Sequence, residues 1–167
     1  TYAYDWGNLG MTNFTLAWNW TQTDIDKASA IISRNRRIDL ENFNPENRGV
    51  FTINHAVGDF GILLRTNYYD DWVVGNNSNG PPNVVCSDAP ASGDRCYDGA
   101  ITVDVELSYT FNSRYTFFVG GQNVFDKYPV KDPNRLAAGN SGNEYATSSP
   151  WGFDGGFWYA RFRVDLD

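Results

Sequence analysis

The strongest constraint on the fold is a strict alternation of apolar and polar residues in "ITVDVELSYTF", positions 101–111. Every second residue from Ile101 to Phe111 is apolar, and the residues between them include Asp104 and Glu106. A period of two places successive side chains on opposite faces of a β-strand. The segment therefore predicts a strand with one apolar face and one face that meets water or a polar lumen.

The same alternation recurs along most of the chain, for example in "NFTLAWNWTQT", "FGILLRTNYY" and "FWYARFRVDLD". Each segment is roughly ten residues long, the length that a tilted membrane-spanning strand requires. Consecutive segments joined by hairpins pair with their sequence neighbours. We therefore predict an all-β, antiparallel up-and-down meander. Its six strands are expected near 12–24, 48–57, 60–73, 100–111, 115–125 and 156–166. The strand that begins near Met11 is also expected to have a preceding partner, of which only residues 1–6 are present.

The connections between these segments alternate in length. Short turns are predicted near 7–10, 57–60 and 112–114, whereas polar loops near 24–47, 74–99 and 126–151 are long. Short turns on one side and long loops on the other are typical of outer-membrane barrels. The chain has no apolar run of about 18 residues, so it predicts no membrane-spanning helix.

Composition limits the partners and the compartment. The net charge of -7 opposes binding to nucleic acid, whose phosphates repel an acidic chain. The two cysteines, Cys86 and Cys96, lie in a stretch rich in Ser, Asp and Gly, and their spacing is unlike that of a metal site. We predict that they form a disulfide that closes a surface loop, which implies an oxidising compartment.

Two motifs near the end of the chain carry a resemblance to a known family. "YTFFVGGQNVFDKYP" resembles the penultimate strand of TonB-dependent outer-membrane receptors, and "PWGFDGGFWYARFRVDL" resembles their last strand. Upstream, "NPENRGVFTINHAVGDFGILLRTNYYDDW" is similar to a hairpin of that family. In "GGQNVFDKYP" we expect Asn123 and Asp126 to bond the backbone where the strand ladder ends.

The resemblance implies a barrel of about 22 strands, closed by an N-terminal plug, in the outer membrane of a Gram-negative cell. Residues 1–167 then form the C-terminal portion of the barrel domain, and an aromatic residue is expected directly after Asp167. The implied cargo is a scarce nutrient, namely an iron chelate, cobalamin or an oligosaccharide. The implied partners are outer-membrane lipid and lipopolysaccharide, the remaining barrel and plug, and the inner-membrane energy-coupling protein, which the plug contacts.

Several residues are candidates for ligand binding, each with a simpler alternative. The cluster of Arg34, Arg36 and Arg37 suits an anionic ligand or lipopolysaccharide phosphates, although a solvated run of charge is the simpler interpretation. Arg65 and Arg161 belong to the polar faces of strands, where a role on the transport path competes with ion pairing. Two further candidates, suited to sugars or to an interfacial position, are the loop aromatics Trp72 and Trp151.

Other residues have mainly structural interpretations. We expect the single histidine, His55, to be a lumen or interface residue rather than a metal ligand, and Asp70 and Asp71 to be solvated rather than to hold calcium. Aromatic girdles of a barrel are predicted from Trp18 and Trp20 with Tyr109, Phe111 and Tyr115. Of these, Trp20 is expected by the long loops and the others by the short turns.

The sequence carries no convincing catalytic triad, paired catalytic carboxylates or phosphate loop, so we expect neither enzymatic activity nor a cofactor. Two alternatives to an energy-coupled receptor remain open. One is a small soluble β-barrel that binds an apolar ligand, with its apolar faces pointing inward. The other is a passive porin-like channel, which has no plug. Dependence on detergent separates the soluble alternative from both membrane proteins.

Overall fold

A computed structural model describes residues 1–27, 31–87, 93–132 and 144–166. Most of the described chain is antiparallel β-sheet. The described part has one α-helix, α1, at Arg34–Asn42, and a short 3-10 helix at Gly7–Leu9. Its nine strands are β1 Tyr2–Asp5, β2 Met11–Trp20, β3 Asn47–Val57, β4 Phe60–Tyr69, β5 Trp72–Val74, β6 Arg95–Tyr97, β7 Ala100–Phe111, β8 Tyr115–Gln122 and β9 Phe157–Val164.

Seven strands form one sheet in the order β1-β2-β3-β4-β7-β8-β9, and each neighbouring pair is antiparallel. The predicted meander of sequence neighbours is therefore confirmed. The partner expected for the Met11 strand within residues 1–6 is confirmed as Tyr2–Asp5, which lies opposite Met11–Phe14. Gly7–Leu9 and Gly10 reverse the chain between them, and Gly10 has a φ of 92°. The number of strands was predicted too low, because β5 and β6 form a second, two-stranded sheet in a connection that was predicted to be a loop.

The register segregates apolar and polar side chains across the whole sheet. One row of directly opposed residues crosses all seven strands: Tyr2, Phe14, Ile53, Leu64, Val105, Gly121 and Trp158. We call the face that carries this row the apolar face. It is solvent-exposed in the chain, and Leu16 and Trp158 keep 66% and 70% of their accessible surface.

The predicted separation of charged and apolar side chains is confirmed. Cross-strand pairing links Leu107 to Val119, and Phe117 to Phe162, on the apolar face. The opposite side of the sheet, called the polar face, carries the charged set. It includes Asp104, Glu106, Arg161 and Arg163.

Aromatic residues concentrate at both ends of the apolar face. By the short turns, Phe60 lies 4.7 Å from Tyr109 between ring centroids, and Phe117 lies 4.9 Å from Phe162. By the long connections, Trp18 stacks on Tyr68 at 5.5 Å. The expectation that Trp18 lies by the short turns is wrong, because its pairing opposite Gly49 places it two residues from Trp20, at the other end.

The sheet is open. Within the described strands, β1 pairs only with β2 and β9 pairs only with β8, so no hydrogen-bond ladder joins β2 to β9. The interpretation as a small closed barrel requires such a ladder, and the chain does not form one. None of the helices in the described ranges is long and apolar enough to cross a membrane.

The long connections, which were predicted to be plain polar loops, contain regular structure. Helix α1 lies in the first connection, where Ser33 caps its N-terminus by accepting from Arg36 N at 3.3 Å. Strands β5 and β6 pair with each other, and the predicted Cys86–Cys96 disulfide, with a Cα–Cα distance of 5.5 Å, is confirmed beside them. We call residues 31–46, 72–87, 93–98 and 144–151 the cap.

The buried apolar core lies in the cap rather than on the sheet. Trp72 is only 1% exposed, stacks on Tyr97 at 4.8 Å and meets Trp151 edge-on at 5.2 Å. Ala146 completes this cluster. Because its residues come from separate connections, the cluster joins those connections into one packed unit.

The close approach of Trp18 to Gly49 yields a test of the register. A Cβ at position 49 would lie 2.7 Å from the Trp18 ring, so Gly49→Ala should displace the indole from Tyr68. We expect a loss of about 1–3 kcal/mol in the free energy of unfolding, as for other overpacked sites. Tryptophan fluorescence and thermal unfolding measure both effects. Thr52→Ala, on the other face of β3, should change neither; an unperturbed Trp18 in Gly49→Ala would contradict the register.

Candidate functional site

A polar groove runs along the polar face across β4, β7, β8 and β9. It consists of two adjoining cavities of about 290 and 280 Å³, which share Arg65, Asp104 and Gln122. Asn67, Trp151 and Asp154 line the part nearer the cap, and Glu106, Tyr159 and Arg161 line the other part. The groove is the described feature best suited to hold a polar ligand or another polar protein segment.

At the centre of the groove, Asp104 connects three strands. Its Oδ1 accepts from the backbone N–H of Asn123 at 2.9 Å, and its Oδ2 accepts from Asn67 Nδ2 at 3.0 Å. Arg65 lies directly opposite on β4. Asp104 therefore anchors the end of β8 to β7 and is already committed to internal hydrogen bonds.

The second carboxylate of the groove is committed in the same way. Glu106 accepts from Tyr159 Oη at 2.8 Å, and from Arg161 at 3.2 Å. Tyr159 reaches across β8 because the residue between them is Gly120, where a Cβ would lie 2.7 Å from the tyrosine ring. The Arg161 guanidinium also lies 4.1 Å from the centre of the Phe118 ring.

Arg65 is the basic residue of the groove whose side-chain N–H donors are unpaired among the described residues. Its side chain makes no hydrogen bond or ion pair with any residue that the structure describes, although Asp104 is its cross-strand neighbour. A guanidinium presents five N–H donors in a planar fork. It is thus suited to recognise a carboxylate, a phosphate or the carbonyl groups of another segment.

The sequence motif "GGQNVFDKYP" forms the turn that ends β8. Asn123, at a φ of 48°, accepts from Lys127 N at 3.0 Å and donates to Lys127 O at 2.8 Å. Asp126 Oδ1 accepts from Gly156 N at 2.9 Å. The expectation that Asn123 and Asp126 bond the backbone at the end of the ladder is confirmed, although β8 ends at Gln122, earlier than predicted.

The two motifs that carry the family resemblance interlock in space. A Cβ on Gly156 would lie 2.4 Å from Asn123 O, and one on Gly155 would lie 2.4 Å from the Tyr128 hydroxyl. Gly155 also has a φ of 75°, which glycine adopts without strain. The glycine pair before β9 is therefore required by the turn after β8, and the motifs act as one structural unit.

Arg34, a candidate ligand-binding residue, lies inside the cap. Its guanidinium forms a two-pronged pair with Asp94, with both N–O distances at 2.7 Å, and it donates to the carbonyls of Asn77, Pro81 and Asn83. Asp94 is fully buried. The hydrogen bonds from Arg34 lower the pKa of Asp94 to about 2. Because Arg34 belongs to α1 and Asp94 to the second long connection, the pair holds these two segments together, and we call it the brace.

The other candidates are placed differently. Trp72 is buried in the cap core, so it has little surface to offer a ligand. Arg37 donates to Pro82 O and lies 3.8 Å from Glu41. Arg36 is exposed, and its side chain makes no ion pair with the described residues. The structure therefore leaves Arg36 on the outer surface of the cap and Arg65 in the groove as the freely available candidates.

Asp70 and His55, which were considered as possible metal ligands, both have defined hydrogen-bonding or pairing partners. Asp70 is hydrogen-bonded to Asn47 Nδ2 at 2.9 Å and to Tyr68 Oη at 3.4 Å. No group of three or more potential metal ligands occurs within the described ranges. His55 was expected to be a lumen or interface residue. It shares the register of Ile53 and lies on the apolar face, opposite Thr12, so it does not line the polar face.

Sequence patterns identified only some of the groove. The alternation alone places Asn67 and Tyr159 on the polar face, so a signal for them existed, although neither was singled out. Trp151 was predicted as a loop aromatic suited to sugars, and the structure places it in the lining of the groove. Asp154 was not singled out. Neither residue follows a period, so no sequence pattern indicates that they approach the groove.

The brace between Arg34 and Asp94 predicts an acid-sensitive cap. The pKa of Asp94 is lowered in the folded chain, so its contribution to stability is complete above about pH 4 and is lost as the pH falls towards 2. Near-ultraviolet circular dichroism of the Trp72–Tyr97 stack should report this loss. Asp94→Asn should cost about 3–5 kcal/mol at neutral pH, because it leaves Arg34 unpaired, and should flatten the acid titration between pH 4 and 2. An unchanged titration would contradict the brace.

The turn after β8 gives a second prediction. Asn123→Ala removes two side-chain hydrogen bonds. Alanine also adopts a positive φ less readily than asparagine does. We therefore expect a loss of about 2–3 kcal/mol in the free energy of unfolding. Asn123→Gly loses the same bonds without the strain and should lose less. Thermal unfolding of the three proteins measures the difference. If both variants match the unsubstituted chain, the turn does not secure β8.

Comparisons of the chain with protein-family models, with curated proteins and with solved structures gave no match. A function must therefore be argued from the chemistry of the apolar face, the polar groove and the cap.

Proposed function

We propose that this chain is the C-terminal part of the barrel wall of a TonB-dependent outer-membrane receptor. The complete barrel would have about 22 strands and a plug, and it would import a scarce nutrient when the inner-membrane coupling protein acts on the plug. This chain would supply seven strands, the cap on the extracellular side and part of the lumen lining. The site would be the outer membrane of a Gram-negative cell.

The observation that carries this proposal is the exposed apolar face. Seven strands present apolar side chains in register on one side, and large residues there, such as Leu16, Phe60 and Phe117, are exposed. Water-soluble monomers rarely expose continuous apolar patches larger than a few hundred Å². A lipid bilayer is the medium in which such a face is stable, since barrel strands in membranes point apolar side chains outwards.

The dimensions of this face suit a bilayer. On β4, the aromatic residues Phe60 and Tyr68 are eight residues apart, which corresponds to about 26 Å along the strand at about 3.3 Å per residue. With a strand tilt of about 40°, the separation along the membrane normal is about 20 Å. This value is close to the apolar band of about 25 Å in outer-membrane barrels, which aromatic girdles flank on both sides.

The open edges of the sheet support a larger barrel. Backbone groups left unpaired in lipid cost several kcal/mol each, so membrane strands occur in closed barrels. Strands β1 and β9 each have one described neighbour. Further strands of the parent receptor would pair with both edges and close the barrel.

The polar face would then line the lumen. Asp104 and Glu106 hold strands and the β8 turn together, whereas Arg65 keeps free donors in the groove. Arg65 would contact the plug or an anionic nutrient during passage. Exposed Arg36, on the cap, would meet lipopolysaccharide phosphates or an incoming ligand at the cell surface.

The positions of the tryptophans provide the experiment. Trp18, Trp20 and Trp158 lie on the apolar face, and Trp6 lies at its short-turn end, where its indole donates to Thr12. Trp72 and Trp151 lie in the cap. In vesicles of brominated phosphatidylcholine, we expect strong quenching of the fluorescence from the first four residues, because bromine on acyl chains quenches on contact. Replacing those four with Phe should abolish most of the quenching, and replacing the two cap tryptophans with Phe should increase the quenched fraction of the fluorescence.

Unquenched fluorescence, from a protein that remains monodisperse without detergent, would exclude a membrane position and favour the soluble binding module. Antibodies against the chain, applied to fractionated cells, provide an independent measurement of location. The receptor proposal requires the antigen in the outer-membrane fraction, at the size of a protein much longer than this chain.

A further inference from the structure

His55 is an exception to the chemistry of the apolar face. Between the aromatic ends of that face, it is the only imidazole, amide or charged side chain in the described strands. It lies opposite Thr12 on β2 and Ile62 on β4, and it is partly exposed. A polar group on a lipid-facing surface is costly unless it has a hydrogen-bond partner, so its partners are informative.

One side of the imidazole is fixed by the protein. His55 Nδ1 lies 2.8 Å from Thr12 Oγ1, and Trp6 Nε1 donates to the same oxygen at 2.9 Å. The Tyr4 ring packs against Trp6 at 4.4 Å between centroids, and Tyr4 is the β1 neighbour of Thr12. The cluster of Tyr4, Trp6, Thr12 and His55 therefore occupies adjacent positions near the short-turn end.

The hydrogen-bond roles in this cluster follow from the donor inventory. An indole nitrogen only donates, so Thr12 Oγ1 accepts from Trp6. Thr12 is 6% exposed, and its other described partner is His55, so its own hydroxyl proton is satisfied when His55 Nδ1 accepts it. With Nδ1 as the acceptor, the ring proton of His55 is on Nε2.

The Nε2–H group has no acceptor among the described residues, since the single hydrogen bond of His55 uses Nδ1. A donor is therefore left at the surface of the apolar face, held in orientation by Thr12 and Trp6. Buried or lipid-facing donors without an acceptor are rare, so the medium should supply one.

The depth of His55 identifies the class of acceptor. It precedes the turn at Gly58 by three residues, about 10 Å along the strand, which at a tilt of about 40° lies about 8 Å below the turn. The headgroup region of a bilayer is about 6 Å thick on each side of its hydrocarbon core. With the short turn at the water boundary, the imidazole lies at the inner edge of that region, beside the glycerol and ester groups, and its Nε2–H can reach towards the phosphate. Of the acceptors there, the anionic phosphodiester is the strongest.

We infer that His55, oriented by Thr12 and Trp6, forms a binding site for the phosphodiester of a glycerophospholipid in the leaflet on the short-turn side. The Tyr4 and Trp6 rings would pack against the glycerol and upper acyl chains of the same lipid. This inference rests on the membrane position proposed above, and it adds a specific lipid site to the wall.

Native mass spectrometry of the protein in a maltoside detergent tests this site. The probes are dioleoylphosphatidylglycerol and dioleoylglycerol, which has the same ester carbonyls but no phosphate. We expect the protein to retain the phospholipid about ten-fold better, the effect of one hydrogen bond to a charged group. His55→Leu should abolish the preference. His55→Gln keeps an N–H donor and should restore part of it.

Thr66→Val is the matched control, because it removes the other threonine hydroxyl on the apolar face of the described strands and should leave the preference unchanged. Retention of the preference in His55→Leu, or equal losses in the Leu and Gln variants, would overturn the site, as would the absence of a preference in the unsubstituted protein. Quenching by brominated lipid in the same preparations separates the two proposals. If brominated lipid quenches the fluorescence of Trp18 but the protein shows no preference for the phospholipid, the lipid site alone is refuted. If the fluorescence of Trp18 is not quenched, the membrane position is refuted.

Discussion

The rest of the structure depends on the uninterrupted register of the antiparallel ladder. Because side chains alternate with a period of two, a slip of one residue between any two strands would place charges such as Glu106 among the apolar side chains. Short turns hold β3 to β4 and β7 to β8 in this register. Segregation of the two faces follows from it, and so do the polar groove and the exposed apolar surface.

The groove stabilises the same register through its polar chemistry. Asp104 binds the start of the β8 turn, and Glu106 binds Tyr159 across a glycine. These carboxylates lie where water or another polar segment can reach them, so hydrogen bonds satisfy their charge. With both carboxylates committed, Arg65 keeps the free donors. The groove therefore presents the N–H donors of Arg65 to any polar group that enters it.

The cap shows how a sheet without a buried core on either face can still position its connections. The disulfide, the Trp72–Tyr97 stack and the buried pair of Arg34 and Asp94 join segments that are far apart in sequence. A buried pair of this kind requires both partners, since either charge alone would be left unsolvated. Two of the residues most suggestive of ligand binding, Arg34 and Trp72, are thus part of the scaffold. Arg36 remains exposed on the surface of the cap.

The sequence by itself determined the strands, their order, the opposition of the two faces and the Cys86–Cys96 pairing. These features depend on local alternation, short turns and a short loop, which are contained in contiguous residues. The paired strands β5 and β6, helix α1, the Arg34–Asp94 brace and the position of Trp151 by the groove were decided only by the tertiary structure. They depend on contacts between distant segments, and no local period encodes such contacts. His55 combines both sources: its parity with Ile53 was visible in the sequence, but its partners Thr12 and Trp6 required the pairing of β2 with β3 and the return of the chain after β1.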